Sequence, residues 1–165
     1  MTVTATAYAK FYVGTIAGAT ATAAATTDAA ELTAFEADTY VEVNETADLG
    51  EFGDEAEEIK FSSISDARVR KLKGIRDAGN LELTVHRTGS DAGQAALRTA
   101  KGDDHQRTFK VVLNDAPPAG TPTTFYFRGL VMGGRTKMGE ANNVVDEVFT
   151  IAINSAIVEV PAEAA

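Results

Sequence analysis

The sequence predicts a mainly β fold: an antiparallel β-sandwich or partly closed barrel, with one flanking α-helix and a short N-terminal helix. Alternation with a period of two recurs in "TYVEVNE", "EEIKFSSI" and "LELTVHR", the pattern of strands with one covered face. Stretches rich in β-branched and aromatic residues are parted by turn signals such as "NDAPPAGTP". Helix-start signals stand out at only two places. At 165 residues the chain suits a single domain, residues 1–165, able to bury a core without disulfide or metal staples.

Residues 8–17, "YAKFYVGTIA", read as the first strand, and "GATATAAATT" after them as a small-residue loop. Asp28-x-x-Glu31 is a capping-box pattern that predicts a short helix near 28–36. In "TYVEVNE" Tyr40, Glu42 and Asn44 alternate with Val41 and Val43, and in "EEIKFSSI" Ile59 and Phe61 alternate with Glu58 and Lys60. "LELTVHR" sets Leu81, Leu83 and Val85 against Glu82, Thr84 and His86. In "DAGQAALRTAKG" Asp91 and Gln94 form a capping box, Leu97 supplies an apolar anchor and Gly102 suits the C-terminal cap. "RTFKVVL", "TTFYFRGLVM" and "NNVVDEVFTIAINSAIVEV" complete the strands, and no internal repeat is visible.

Several chemistries are excluded or disfavoured. The chain has no cysteine, which removes thiol catalysis, disulfides and thiolate-bound metal. Its formal net charge of −9 disfavours general capture of nucleic acid or anionic membrane. No run of about eighteen apolar residues exists to span a bilayer as a helix. Lys10 with "FYVGTIAGATATAAA" loosely imitates a signal peptide, but Gly14, Gly18 and repeated Thr interrupt its apolar region. Gly129-Leu-Val-Met-Gly-Gly134-Arg135-Thr136 imitates a phosphate loop with Arg in the lysine position; "KMGEANN" after it is a poor helix start, so a glycine-rich connection is the expected reading. His86 and His105 lack metal-ligand spacing, and Ser90 lacks the second flanking glycine of a nucleophile elbow. No cofactor, metal or catalytic residue is expected.

Charge is segregated. From Glu45 to Glu58 there are seven acids and no base, and from Arg68 to Arg76 five bases and no acid. The two segments either neutralise each other as a hairpin within one subunit or meet complementary patches on a neighbour.

The run "YVEVNETADLGEFGDEAEEIKFSSISDARVRKLKGIRDAGNLELTVHR", the helix "DAGQAALRTA", the strand "TFYFRGLVM" and the closing "EANNVVDEVFTIAINSAIV" resemble the tail tube proteins, or major tail proteins, of long, non-contractile tailed bacteriophages. The similarity spans most of positions 28–160; its most specific part is the residue order from Gly50 to Thr84, followed by the helix from Asp91 to Ala100. The resemblance implies a structural virion protein and no enzyme. It implies a β-sandwich with a flanking helix, hexameric rings in which sheets from six subunits line a channel, and rings stacked into a tube for genome delivery. Implied partners are further copies of the chain, the tape measure protein, the tail terminator and distal tail or baseplate proteins. Genome DNA would pass through the lumen without specific binding, no membrane is involved, and the protein's place is the phage tail, with the host cytoplasm during assembly.

Long loops and terminal arms link rings in that family, which makes residues 1–27 an expected N-terminal arm and about 45–80 a long charged inter-strand segment. A chain ending at Ala165 is not expected to carry the additional C-terminal domain of some members. A tube through which DNA slides gains from a weakly repelling lumen, because each basic contact would hold phosphate. The expectation is therefore that Arg68, Arg70, Lys71, Lys73 and Arg76 face protein, at an inter-ring contact with Glu51, Asp54 and Glu55 of another subunit. Two other classes remain: a secreted or surface-displayed β-sandwich interaction protein, and a small barrel enzyme or carrier, which would need a closed apolar cavity.

Overall fold

The β-branched and aromatic runs become strands in the computed structural model, which describes residues 6–16, 28–64 and 66–164. The Gly18–Thr27 loop and much of the expected N-terminal arm lie outside the described residues, as does the Asp28 side chain. In chain order the elements are β1 (Lys10–Ile16), α1 (Asp28–Glu36), β2 (Val41–Val43), β3 (Thr46–Asp48), β4 (Glu55–Ser63), β5 (Asp66–Asp77), β6 (Asn80–His86), α2 (Ala92–Ala100), β7 (Arg107–Val112), β8 (Thr124–Lys137), β9 (Asp146–Ile153) and β10 (Val158–Val160). Eight strands form one antiparallel sheet in the order β2-β1-β7-β8-β9-β6-β3, with β10 added on β8; β4 and β5 pair only with each other.

The sheet curls into a sandwich and does not close. Its two ends, β2 and β3, are consecutive in sequence, joined through Asn44 and a left-handed Glu45. The gap at this corner is filled by α2. Gly93 sits so close to β2 that a Cβ would stand 2.3 Å from the Glu42 carbonyl oxygen, so only glycine admits the helix. Next to it, fully buried Gln94 uses its whole amide: Nε2 donates to the carbonyls of Asn44 (3.0 Å) and His86 (2.9 Å), and Oε1 accepts from the Thr88 amide (2.9 Å) and Arg98 (3.0 Å). Arg98 also donates to Glu147 of β9 at 2.6 Å, and Glu147 is itself buried.

The apolar sides of the alternating strands meet inside the curl. Phe11, Val13, Leu81, Leu83, Val85, Phe109, Phe127, Phe149 and Ile151 form the main core with Leu97 and Ala100 of α2. Each fully buried large side chain contributes roughly 1.5–3 kcal/mol by its removal from water. The first half of β8 is covered on both faces. Phe127 enters the main core, while Tyr126 and Arg128 face α1, where Phe35 stacks on Tyr126 at 5.6 Å and lies under the Arg128 guanidinium at 4.8 Å. Arg128 is also within 3.6 Å of Glu31 on the helix.

Several expectations need correction. Asp91 caps α2 by accepting from the Gln94 amide, but the Gln94 side chain does not complete the capping box, because three hydrogen bonds to groups outside the helix take it inward. Gly102 is not a left-handed cap: the C-cap is Lys101 in helical conformation. "NNVVDEVFTIAINSAIVEV" is two strands, parted where the Asn154 amide bonds back to Arg128. "GLVMGGRT" is neither a phosphate loop nor a connection but the second half of β8, in extended conformation. Ile59 and Phe61 alternate as expected yet remain 48 and 41% exposed, because among the described residues no other strand or helix packs over the hairpin by more than a marginal contact.

Replacing Gln94 with Leu is expected to destabilise the subunit by about 2–4 kcal/mol, since two carbonyls and an amide lose their partner around a fully buried side chain; chemical denaturation measures this, with exposed Thr99→Ala as a control expected within about 0.5 kcal/mol. A second expectation concerns acid. Asp115 accepts from the hydroxyl and amide of Thr123, and Asp103 from Arg107; these bonds hold both carboxyls below the ordinary 3.8. A depressed folded pKa contributes stability above the unfolded value that is lost as pH falls through the folded one. The thermal midpoint should therefore fall as pH drops below about 3.8, and Asp115→Asn should flatten that fall while lowering the midpoint at pH 7.

Candidate assembly interface

Two features of the described residues offer surface that the subunit itself does not satisfy. The first is the β4–β5 hairpin, built from the acid-to-base segment. No other strand or helix packs against it by more than a marginal contact. Such a two-stranded ribbon is marginal on its own in water. Cross-strand register gives it two unlike faces: Ile59 lies opposite Leu72 and Phe61 opposite Arg70 on one, while Glu58 lies opposite Lys73 and Lys60 opposite Lys71 on the other. A bulge between Ala56 and Glu58 inserts an extra residue on the β5 side, beside Gly74.

All five basic residues singled out from the sequence stand on β5 and are exposed: Arg68, Arg70, Lys71, Lys73 and Arg76. Lys71 is 2.7 Å from Glu58 across the hairpin, and Lys60 is 3.9 Å from the same carboxylate. Asp54 and Glu55 line a shallow groove at the hairpin base together with Lys71, Lys73 and Arg76. Glu51 and Glu55 border a second one with Phe52, Asp77 and Asn80. Acidic and basic segments thus already approach each other within one subunit. From the sequence, Ile59 and Phe61 form one face of an alternating strand; that this face stays exposed in the hairpin, together with Val69, Leu72 and Ile75, is what the sequence does not reveal.

The second feature is a pair of open sheet edges. β7 pairs with β8 only as far as Arg107 opposite Gly129, so among the described residues no strand pairs with Leu130–Lys137 on that side. The direction of their backbone groups follows from β9. The Ile153 amide donates to Gly79 and the Val145 carbonyl accepts from Arg87, so odd-numbered β9 residues serve the β6 side and even-numbered ones the β8 side. Even-numbered Thr150, Val148 and Asp146 are opposite Gly133, Arg135 and Lys137, which leaves the N–H and C=O of Gly134 and Thr136 pointing out of the sheet. At the far end β3 pairs, among the described residues, with β6 alone, so its outer edge has no strand beside it there. Between these edges runs a four-stranded antiparallel sheet, β8-β9-β6-β3.

A β-sandwich carrying such a sheet, a flanking helix and a projecting hairpin has the fold of phage-tail tube structures, as expected from the sequence resemblance. The structure of the SPP1 tail tube, from solid-state NMR and cryo-EM, is matched with a TM-score of 0.61 at 14% identity over 92% of this chain and 75% of that one. The baseplate of the anti-feeding prophage, from six-fold symmetrised cryo-EM, is matched with a TM-score of 0.68 at 10% identity over 98% of both chains. No known family profile matches the sequence, and no curated protein does. At these identities the likeness is one of fold.

Proposed function

We propose that this chain is a structural protein of a phage-type tail, which assembles with copies of itself into six-membered rings that stack into a tube for DNA passage. The observation that carries this reading is the four-stranded sheet with two open edges. Its strands alternate in direction, so the outer edge of β3 in one copy runs antiparallel to the outer edge of β8 in the next, and an even number of strands lets the alternation continue around a ring. The edges also differ in charge: Arg135 and Lys137 stand on β8, and Glu45, Asp48 and Glu51 on and beside β3. Of the two solved structures named above, one is a tail tube and one a six-fold symmetrised baseplate.

The solvent face of this sheet would line the channel. It carries Glu82 and Asp146 together with Arg135 and Lys137, a mixture with no continuous basic stripe to retain phosphate, in keeping with DNA that passes without specific binding. The hairpin would reach along the tube axis to the next ring, with Arg68, Arg70, Lys71, Lys73 and Arg76 meeting acids such as Glu51, Asp54 and Glu55 there, and with Ile59, Phe61 and Leu72 covered. The activity is then mechanical, with no catalytic step. The tape measure protein, the tail terminator and distal tail or baseplate proteins would be its neighbours in the virion tail, after assembly in the host cytoplasm.

Ring closure is tested at Thr136. Proline there removes an N–H that no described residue of the subunit accepts, and edge strands tolerate that; a second copy's strand would need it. Thr136→Pro should melt within a few degrees of wild type yet form no rings by negative-stain microscopy, and normal rings from this variant would sink the edge-pairing reading. Stacking is tested separately by Arg70→Glu with Lys71→Glu. Rings should persist while tubes shorten, with the melting midpoint of the free subunit unchanged, because exposed pairs contribute only about 0.2–1 kcal/mol each but recur around a ring. Tubes of normal length with a lowered midpoint would show that the basic strand serves its own hairpin.

A further inference from the structure

A free strand edge with backbone groups pointing outward is a hazard to a soluble subunit, since any copy can add to it at the wrong time. On β8 this edge is not bare. Lys101, the residue that ends α2, extends its stem over Gly134, with its Cδ 3.2 Å from where a Gly134 side chain would begin, and its Nζ donates to the Gly134 carbonyl at 3.3 Å. That carbonyl is one of the few on β8 that face out of the sheet beyond Gly129. Glycine at 134 is what makes room: a Cβ would stand 3.0 Å from the Phe149 ring and press on the lysine stem.

We propose that Lys101 is an edge guard. Its ammonium occupies the acceptor, and its stem the approach, that an incoming β3 of a second copy would need, so assembly requires its displacement. The inference deepens the edge-pairing reading and rests on it. The fold supplies the means: α2 is locked at the corner by Gln94 and Arg98, so the Lys101 backbone stays in place, its amide held by the Leu97 carbonyl at 3.0 Å, while the side chain itself is exposed and, among the described residues, held by a single hydrogen bond that a strand can replace. A positive group at the open edge also repels the equally basic β8 edge of another copy, which disfavours the symmetric β8–β8 dimer and leaves the acidic β3 edge as the matching partner.

The experiment compares wild type, Lys101→Ala and Lys101→Met in a concentration series followed by light scattering and electron microscopy. Loss of one hydrogen bond to an exposed carbonyl should lower the threshold concentration for assembly about two- to tenfold in Lys101→Ala. Lys101→Met, which keeps the stem without the donor, should fall between it and wild type. The free-subunit melting midpoint should stay unchanged in both. Wild type that assembles, with variants whose threshold is equal or higher, overturns the guard and leaves the edge-pairing reading intact. Wild type that stays single while Lys101→Ala assembles supports the guard in its strongest form. If all three stay single at every concentration, the edge-pairing reading and the guard fall together.

Discussion

Everything in this subunit depends on how the corner between β2 and β3 is held. These two strands follow each other in the chain but lie at opposite ends of the sheet, so the sheet must curl until its ends meet. The Gln94 amide bridges the junction by bonding the Asn44 carbonyl at the turn, the His86 carbonyl at the end of β6 and the Thr88 amide beyond it. A buried amide with all its bonds made specifies one geometry, because any shift leaves polar groups without partners in a low-dielectric interior. Closure by side-chain hydrogen bonds, rather than by a continuous strand ladder, is also what leaves the sheet unclosed. The outer edge of β3 stays available for that reason.

The long strand β8 divides the labour. Its first half is buried on both faces, between the main core and α1, and carries the stacked Phe35 and Tyr126 with the Arg128–Glu31 pair. A buried ion pair of this kind adds little net stability after desolvation, but removing one partner would strand the other, so it fixes where the helix sits. The second half, past Gly129, has a partner on one side only. One continuous strand therefore joins a segment buried on both faces to the open edge, and a partner that adds to that edge would meet an extended strand instead of a loop that must first be ordered.

Charge plays two roles in the hairpin. Within the subunit Lys71 and Lys60 share Glu58, which offsets part of the like-charge repulsion on β5. Between Lys60 and Arg76 the hairpin nevertheless has six bases against the single acid Asp66, so the rest of the chain holds more negative charge than the net −9. The whole hairpin, Glu55–Asp77, is nearly neutral with six bases against five acids, so its charge is segregated along its length, while its apolar face of Ile59, Phe61 and Leu72 is surface whose burial would not be screened by salt.

The strands and both helices were legible in the sequence wherever one face is covered by the chain's own core. Leu81, Leu83 and Val85 alternate because they enter that core, and Asp28–Glu36 and Ala92–Ala100 carry start signals because helix ends must satisfy their own amides locally. The residue order from Gly50 to Thr84 was enough to anticipate the tail-tube fold. Tertiary structure alone decided the rest, because those features depend on residues far apart in sequence. Gln94 belongs to a corner rather than a capping box since Asn44 and His86 arrive beside it, "GLVMGGRT" is a strand since β9 pairs with it, and β8 has an open edge since β7 ends at Arg107. Local pattern records which face of a segment meets apolar surroundings; which backbone groups are left over appears only after every strand has chosen its neighbours.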